Sequence, residues 1–376
     1  MASPLRKRGA FFCRNADAAL VCQCNALHIF TMRIAGQKRI ISSGFRPAAW
    51  LRNRHAQTIY PSLPLSQSPR PALTRRILEL PDGDVTVVDW LAESPLVTDD
   101  TPLLVVLHGL ESSAESAYAR QLLQAAKDHG WHAAVLHFRD CGDYRNRLPR
   151  RYHAGETNDL RYFLGKLRTD GQAGPIMAVG YSLGGNVLLK YLGEDGMATP
   201  LHAAAAVSVP LNLHICAAAL SQGFSRIYQR LLLRRMKKSV SRKFNRHTAA
   251  FDWRRTMRAR TFAEFDDAVT APLHGFANKD EYYDRCSSVR FLAGIERPTL
   301  VINSLDDPFM TPDVMPTEDA LSDFVTLEVS ANGGHVGFID GGTPWRPSYY
   351  LPSRIIDFLE EQISDAIPDA YAMPGM

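Results

Sequence analysis

The sequence predicts an α/β protein in which a mostly parallel sheet is covered by helices on both faces. Continuous apolar runs alternate with helical patterns of about 10 to 15 residues. Such runs are typical of strands buried on both faces, as the strands of parallel sheets are. The predicted strands are PLLVVLHGL, WHAAVLHFRD, PIMAVGYS, AAAAVSVP, PTLVINSLDD and VTLEVSANGGH, with the hairpin RILELPDGDVTVVDWLA before them. The predicted helices are SAYARQLLQAAKDHG, GETNDLRYFLGKLRTDG, LGGNVLLKYLGEDG and SRIIDFLEEQI.

The alternation of strands and helices stops over residues 213–295, where polar and basic helical patterns replace the strands. An insertion at the carboxyl edge of a parallel sheet usually roofs the ligand site. We therefore predict a core of residues 42–212 and 296–365, interrupted by a helical cap insertion at 213–295. An extension of residues 1–41 precedes this core, and a tail of residues 366–376 follows it.

The N-terminal residues 1–31 are similar to a secretory signal peptide, but Arg14, Asn15 and Asp17 break its apolar stretch. We expect a disordered extension, or an upstream start codon with the working start at Met32. A weak mitochondrial targeting peptide is the alternative. The six cysteines are scattered, so reduced thiols and a cytoplasmic location are expected. No apolar run approaches the roughly 20 residues that a membrane-spanning helix needs.

Basic charge is concentrated in one segment of the chain. Residues 226–260 contain 13 Lys and Arg residues against one acid, although the formal net charge of the whole chain is only +4. The remainder is therefore net acidic, which argues against nucleic-acid binding by the whole protein. Residues 226–246 predict an amphipathic helix. Two interpretations stay open: a solvated cap helix, or contact with an anionic membrane surface or an acidic acyl carrier.

The strongest motif is Gly180-Tyr181-Ser182-Leu183-Gly184, which lies where a buried strand turns sharply into a helix. At such a turn the glycines avoid collisions with the neighbouring strand and helix, and the serine is presented above the sheet edge. The helix N-terminus also favours negative charge that develops nearby. Ser182 is therefore the candidate nucleophile. It needs a neighbouring base, because a serine hydroxyl is a poor nucleophile near neutral pH.

A candidate base and a candidate acid follow later in the chain. His335 lies in the loop ANGGHVGF after the last apolar strand, and LVINSLDDPF places Asp306 and Asp307 at the end of the preceding strand. A carboxylate fixes the tautomer of such a histidine and stabilises its charged form. The chain order of serine, aspartate and histidine is that of the α/β-hydrolase fold. Adjacent residues of an extended chain point to opposite sides, so only one of the two aspartates faces His335.

The same chemistry needs donors for the oxyanion that forms on the attacked carbonyl. The candidates are the backbone N–H groups of Leu183, directly after the nucleophile, and of Leu110, in the loop after LLVVLHGL. His108 in that loop is expected to be structural. A polar segment after the next strand predicts a buried network that braces the nucleophile loop. Its candidate members are Arg139, Asp140, His153 and Asp159.

Five stretches of the sequence resemble the YheT-like family of α/β-hydrolases, whose eukaryotic relatives include medium-chain esterases, phospholipases and ethyl ester synthases. They are FRPAAWLRNRHAQTIYPSL, LHGLESSAESAYARQL, HFRDCGDYRNRLPRRYHAGETNDL, GYSLGGNVLLKYLGE and DDPFMTP with GGHVGF, within residues 42–360. The resemblance implies an α/β-hydrolase fold, a Ser-Asp-His triad and hydrolysis of carboxylic esters with short or medium acyl chains. Carried over by position, the triad is Ser182, Asp307 and His335. Pro308 also biases the backbone of Asp307 towards the extended region, and Asp306 is expected to hydrogen-bond within its own turn.

The resulting expectation is a serine esterase that needs no metal ion and no organic cofactor and acts on a small-molecule or lipid ester. Acyl transfer to an alcohol by the same triad is the alternative. A non-catalytic scaffold that kept the fold is a third interpretation. His335 and Asp340 also fit a His-x4-Asp pattern associated with acyltransferases, although His335 already has a role.

Overall fold

A computed structural model describes residues 39–64, 69–92 and 100–364. Within it, Lys38–Ser364 form one compact unit. The strands are β1 (Ile40–Ser42), β2 (Leu73–Glu79), β3 (Val85–Leu91), β4 (Leu103–Leu107), β5 (His132–Leu136), β6 (Ile176–Tyr181), β7 (Leu201–Val207), β8 (Thr299–Ser304), β9 (Val325–Ser330), β10 (Ile339–Thr343) and β11 (Arg346–Tyr349). The helices are α1 (Arg54–Ile59), α2 (Ala117–Asp128), α3 (Asn158–Thr169), α4 (Leu183–Asp195), α5 (Leu213–Leu220), α6 (Ser225–Lys243), α7 (Trp253–Arg258), α8 (Phe262–Phe265), α9 (Ala271–Leu273), α10 (Lys279–Cys286) and α11 (Tyr350–Ser364).

Nine strands form one sheet in the order β1-β9-β8-β7-β6-β4-β5-β3-β2. The pairs from β1 to β5 along this order are parallel, and β3 pairs antiparallel with both β5 and β2. The predicted mostly parallel sheet and the predicted hairpin are therefore confirmed. Parallel strands end at one common edge, so the segments that follow β6, β8 and β9 are brought to the same side of the molecule.

The sheet separates two apolar cores because successive residues of a strand point to opposite faces. In β4, Leu103, Val105 and Leu107 belong to the core that contains side chains of α3 and α4. Leu104 and Val106 belong to the other core, with side chains of α2 and α11. All five β4 side chains are fully buried. This burial explains why the strand is continuously apolar rather than alternating.

Between β7 and β8, over residues 208–298, the structure describes every residue and contains helices but no strand. Here α6 spans most of the basic segment. These helices have an apolar core of their own, with Leu220, Leu233, Met236 and Phe265 among its buried members. We use the name cap for residues 213–295. That the cap is a separate domain stays a prediction.

The structure differs from the sequence-based prediction at the chain ends. Strand β1 crosses the predicted boundary between extension and core at residue 41, because residues 40–42 pair with β9 at the sheet edge. The hairpin of β10 and β11 was not predicted. The rest of the extension and the tail lie outside the described residues. Within the described ranges, no helix is both long and apolar enough to cross a membrane.

Candidate active site

Ser182 lies on the tight turn between β6 and α4. Its backbone has φ 53° and ψ −119°, a conformation that L-residues rarely adopt. The turn is tight because backbones pack closely on both sides. A Cβ at Gly180 would lie 2.5 Å from the Gly184 carbonyl oxygen, and a Cβ at Gly184 would lie 2.5 Å from that of Leu107. The glycines on either side of Ser182 are therefore required by space, as the motif predicts.

His335 lies between Ser182 and Asp307. Its Nε2 is 3.0 Å from Ser182 Oγ, and its Nδ1 is 2.8 Å from Asp307 Oδ2. Because a carboxylate only accepts, Nδ1 carries the proton, and Nε2 accepts from the serine hydroxyl. The structure thus joins the three predicted side chains in one hydrogen-bonded chain.

The two aspartates have different environments. Asp307 is buried, and its Oδ1 accepts from the Phe309 N–H at 2.7 Å. Burial raises the pKa of Asp307 above its ordinary value, and the neighbouring His335 opposes this rise. Asp306 does not bond within its own turn, so that expectation is wrong. Its Oδ1 accepts from the Gly334 N–H at 2.9 Å, because its side chain points towards the histidine loop.

The histidine loop is held by residues to which the sequence reasoning gave no role. The His335 N–H donates to Thr58 Oγ1 at 2.9 Å, and the Val336 N–H donates to Ser208 Oγ at 3.0 Å. The Phe309 ring stacks on the imidazole, with centroids 3.9 Å apart and planes 8° from parallel. Thr58 lies inside the motif FRPAAWLRNRHAQTIYPSL, so the signal was present in the sequence without a role attached to it.

The predicted oxyanion donors lie beside the candidate nucleophile, Ser182. Leu110 and Leu183 both line the cavity that contains Ser182 and His335. In the described parts of the chain, neither backbone N–H donates to a protein acceptor. Tyr118 helps to hold the loop before Leu110, since its hydroxyl accepts from the Gly109 N–H at 2.8 Å. Two donors are therefore free to face a substrate oxygen.

His108 has the structural environment that was expected. It is fully buried, its Nδ1 lies 2.8 Å from the Gly109 carbonyl oxygen, and its Nε2 accepts from the Phe138 N–H. Burial lowers the pKa of His108 to about 3. The ring is therefore neutral near pH 7 and links two loops at the sheet edge.

The predicted polar network exists as separate groups, and it does not brace the nucleophile loop directly. Arg139 forms a two-pronged ion pair with Asp159 and also binds Asp84 in the turn between β2 and β3. Asp140 instead accepts from Arg151. The His153 ring is 4.5 Å from the ring of His274 in the cap. These contacts go to α3, to the turn between β2 and β3, to the segment itself and to the cap, rather than to the Ser182 turn.

Asn186 is the residue that ties the nucleophile helix to its surroundings. Its Nδ2 donates to the carbonyl oxygens of Ala154 and Cys286 at 2.8 and 2.7 Å, and its Oδ1 accepts from the Ser288 N–H at 2.9 Å. The side chain is fully buried. One amide thus joins the first turn of α4 to the end of α10.

A cavity of about 1120 Å³ opens above Ser182. Its floor contains Ser182, His335, Leu110 and Leu183, and the cap contributes many of its walls. The cap residues that line it include Leu213, Leu220, Tyr228, Leu231, Leu232, Met236 and Phe262. A volume of this size, with mostly apolar cap walls, suits a ligand that carries an acyl chain.

The described residues contain neither a cluster of metal ligands nor a cysteine that is activated as a nucleophile. No group of three or more His, Cys, Asp or Glu side chains is arranged there to hold a metal ion. Cys141, Cys216 and Cys286 are buried and not joined in disulfides. Burial raises the pKa of the Cys286 thiol to about 12, so this thiol is not prepared as a nucleophile.

Comparison with known proteins agrees with this geometry. Residues 102–342 match the family described as "alpha/beta hydrolase fold". The chain belongs to this family. This YheT-like α/β-hydrolase is 42% identical over 320 residues to the Escherichia coli (strain K12) protein named "Putative esterase YheT", a match that covers 85% of this chain and 93% of the relative.

More distant relatives carry the names of lipid-ester enzymes. The chain is 26% identical to the Homo sapiens protein named "Phospholipase ABHD3", over 86% of this chain and 80% of the relative. Among solved structures, the Pyrococcus furiosus esterase Pf2001 matches 78% of this chain and 91% of its own, with a TM-score of 0.51 and 15% identity. At that identity the structural match shows the fold alone.

Proposed function

We propose that this protein is a carboxylic-ester hydrolase in which Ser182 is the nucleophile, His335 the general base and Asp307 the acid that orients it. The observation that carries the proposal is the chain of hydrogen bonds from Ser182 Oγ through His335 to Asp307, at 3.0 and 2.8 Å. A scaffold without activity needs neither this chain nor free oxyanion donors. The esterase and phospholipase names of the relatives give independent support.

In the first half of the reaction, Ser182 Oγ attacks the carbonyl carbon of the ester while His335 Nε2 takes its proton. The carbonyl oxygen becomes an oxyanion, and the N–H groups of Leu110 and Leu183 donate to it. Asp307 stabilises the resulting imidazolium, whose Nδ1–H it accepts. The tetrahedral intermediate then collapses, His335 gives its proton to the departing alcohol oxygen, and the acyl group stays on Ser182.

In the second half, water replaces the alcohol. His335 Nε2 takes a proton from water, which attacks the acyl-enzyme carbonyl, and the same two N–H groups hold the second oxyanion. Collapse returns the proton to Ser182 Oγ and releases the carboxylic acid. Every step uses protons and electron pairs of the ester, of water and of these side chains, so the proposed reaction needs no metal ion and no organic cofactor.

The cavity supports a substrate class of esters with short to medium acyl chains, including lipid esters. An acyl chain bound along the cap wall would contact Leu220, Leu232 and Phe262, and each buried methylene contributes about 0.8 kcal/mol. The relatives with phospholipase and monoacylglycerol lipase names act within the same ester chemistry. We therefore expect the specificity constant to rise with acyl length until the cavity is filled.

The test uses p-nitrophenyl esters of increasing acyl length with the wild type, Ser182→Ala and Ser353→Ala. Ser353 is a matched control, because its hydroxyl bonds only a carbonyl oxygen of its own helix. Ser182→Ala should lose about 10⁴-fold or more in kcat, whereas Ser353→Ala should match the wild type. A fluorophosphonate probe should label the wild type and the control but not Ser182→Ala. Equal rates for all three proteins would rule out the proposal.

The same assay separates hydrolysis from acyl transfer. Adding a primary alcohol partitions the acyl-enzyme between water and alcohol, and the ratio of acid to new ester measures the preference. The proposal expects free acid as the main product at low alcohol concentration. A dominant new ester under those conditions would make the protein an acyltransferase with the same triad.

A further inference from the structure

Large apolar side chains are exposed around the mouth of the cavity. Nine such side chains are exposed in the described residues, and five of them lie on two neighbouring segments, α1 with the turn after it and the start of α6. We call these five the apolar rim: Ile59, Leu63, Phe224, Ile227 and Leu231, with exposed fractions between 39% and 54%. More than half of the exposed apolar side chains therefore concentrate at one place, which is unusual for a surface that meets only water.

Contacts within the rim join its two segments. The rings of His55 and Phe224 lie 4.3 Å apart, and His55 Nδ1 is 3.1 Å from the Tyr228 hydroxyl. Ile59, Leu63 and Leu231 also line the cavity. The rim is thus continuous with the entrance to the space above Ser182.

The basic charge of α6 continues the rim on the same side of the helix. Arg234, Arg235 and Lys238 follow Ile227 and Leu231 at intervals of three or four residues, so they lie on the same face of the helix. These three cations are exposed, and none of them forms an ion pair within the described parts of the chain. The surface beside the cavity mouth therefore combines exposed apolar side chains with unpaired positive charge.

We propose that the apolar rim, with Arg234, Arg235 and Lys238, docks the protein on an anionic phospholipid surface. An amphipathic helix with apolar and basic residues on one side binds such surfaces in two ways. Its apolar side chains are buried among the lipids, and its positive charges are attracted to the anionic headgroups. An acidic carrier protein would match the cations but would not require a cluster of five exposed apolar side chains. If the protein docks in this way, a lipid ester would pass from the bilayer into the cavity. This last step rests on the proposed esterase function.

The experiment measures binding to vesicles by flotation, with the inactive Ser182→Ala protein so that the lipids stay intact. Vesicles of phosphatidylcholine with phosphatidylglycerol are compared with vesicles of phosphatidylcholine alone. One variant removes apolar residues outside the cavity lining (Phe224→Ser with Ile227→Ser), and another reverses charges there (Arg234→Glu with Lys238→Glu). The control, Met197→Ser with Lys166→Glu, makes one change of each kind away from the rim, at an exposed methionine in the short 3-10 helix before β7 and at a lysine in the last turn of α3.

The proposal expects binding to anionic vesicles that is weakened at least about tenfold by each rim variant and left unchanged by the control. Hydrolysis of a short water-soluble ester by the same variants on the active background should match the wild type, because none of the four residues lines the cavity. Equal binding to neutral and anionic vesicles, or no binding to either, would overturn the docking surface. So would capture by an acidic acyl carrier without vesicle binding. These outcomes leave the esterase proposal intact, because its test uses soluble esters.

Discussion

Ser182, the proposed nucleophile, is held in a backbone conformation that its neighbours impose. Residues at φ values like the 53° of Ser182 cost of order 1–3 kcal/mol and persist only where the surroundings determine them. The Ser182 N–H donates to the Val207 carbonyl at 2.8 Å, and the Ser182 carbonyl accepts from the Asn186 N–H at 3.1 Å. Two backbone bonds and the close approach of Gly184 to Leu107 thus fix the hydroxyl towards His335.

The two aspartates give a test at the scale of single residues. Asp307→Asn replaces one carboxylate oxygen with an NH2 donor, and the oxygen that remains can accept from the Phe309 N–H. The NH2 group then faces His335 Nδ1 and favours the wrong tautomer, so kcat should fall by roughly 10³ to 10⁴. Asp306→Asn keeps an oxygen that can accept from the Gly334 N–H, so kcat should fall less than about tenfold. Steady-state rates on a soluble ester measure both. A larger loss for Asp306→Asn would move the acid role by one residue.

Sequence reasoning reached the candidate catalytic side chains but not the residues that support them. Ser182, His335 and the pair of aspartates stand out because each follows a strand at the same sheet edge. Thr58 and Asn186 do not stand out, since a threonine in a short helix and an asparagine in a buried helix have many ordinary roles. Their importance arises from partners that are 100 or more residues away along the chain, which no local pattern encodes.

At the scale of elements, Glu111 joins the loop after β4, which contains the proposed oxyanion donor Leu110, to the cap. It follows Leu110 directly, has φ 50°, and its N–H donates to the Tyr152 hydroxyl. Its carboxylate accepts from Arg151 at 2.5 Å and from Ser239 Oγ on α6 at 2.6 Å. Nearby charges and donors outweigh burial and lower the pKa of Glu111, so it is ionised near pH 7. A charged side chain thus connects α6 to the residue next to Leu110, the proposed oxyanion donor.

Removing that connection should affect the reaction rather than binding. Ser239→Ala loses one hydrogen bond to a carboxylate, and we expect kcat to fall up to about tenfold with little change in KM for a short ester. Ser241→Ala is the matched control on the same helix, because the Ser241 hydroxyl is exposed and lies 3.8 Å from a methionine sulfur. Similar kinetics for both variants would contradict a role of the cap in placing Leu110.

A second prediction at this scale concerns pH and the π-helix Asp266–Thr270 of the cap. Burial raises the pKa of Asp266 to about 6, against hydrogen bonds from Thr270 and Tyr283. The folded state therefore binds this proton more tightly than the unfolded chain, and the resulting stability is lost as pH rises through about 6. The side chain of Asp266→Asn stays neutral at every pH. The free energy of unfolding of this variant, relative to that of the wild type, should therefore increase by roughly 2–3 kcal/mol between about pH 4 and pH 7.

Urea unfolding of the two proteins across this range measures the difference. Asp267→Asn provides a contrast of opposite sign, because the neighbouring Lys279 N–H and Arg255 lower the pKa of Asp267. That variant should lose stability relative to the wild type as pH rises through the acidic range below about 4, and this loss should then stay constant up to pH 7, so the urea series is extended below pH 4. A difference between Asp266→Asn and the wild type that does not change with pH would contradict the buried, protonated carboxyl.

The elements that sequence reasoning missed share a physical cause. Strands β4, β6 and β8 are buried on both faces, so each contains a continuous apolar run, which makes these strands visible in the sequence. The hairpin of β10 and β11 contains Gly341, Gly342 and Pro347 and has mostly exposed or half-buried side chains. It forms through pairing of the backbone, not through an apolar pattern, so periodicity cannot reveal it.

At the scale of the whole molecule, one buried carboxylate joins the first strand, the sheet edge and the last helix. Glu328 on β9 accepts from Ser43 Oγ at 2.7 Å, from the Tyr350 hydroxyl at 2.8 Å and from Arg354 Nε at 2.8 Å. Its side chain is almost fully buried. Ser43 and Tyr350, which are about 300 positions apart, thus both bind the Glu328 carboxylate, and this contact fixes β1 at the edge of the sheet.

Arg354→Met should destabilise the fold without changing the active site. The substitution keeps the alkyl packing on α11 but leaves Glu328 buried without its countercharge, which should cost about 2–4 kcal/mol of unfolding free energy. Adding Glu328→Gln removes the unpaired charge, so the double variant should recover part of this loss.

Arg346→Met, at an exposed arginine of β11, is the matched control and should unfold like the wild type. Denaturant unfolding gives the free energies, and kcat on a soluble ester at low temperature should be equal in all three variants and the wild type. A double variant less stable than Arg354→Met alone would show that the charge of Glu328 is satisfied by its hydroxyl donors without the arginine.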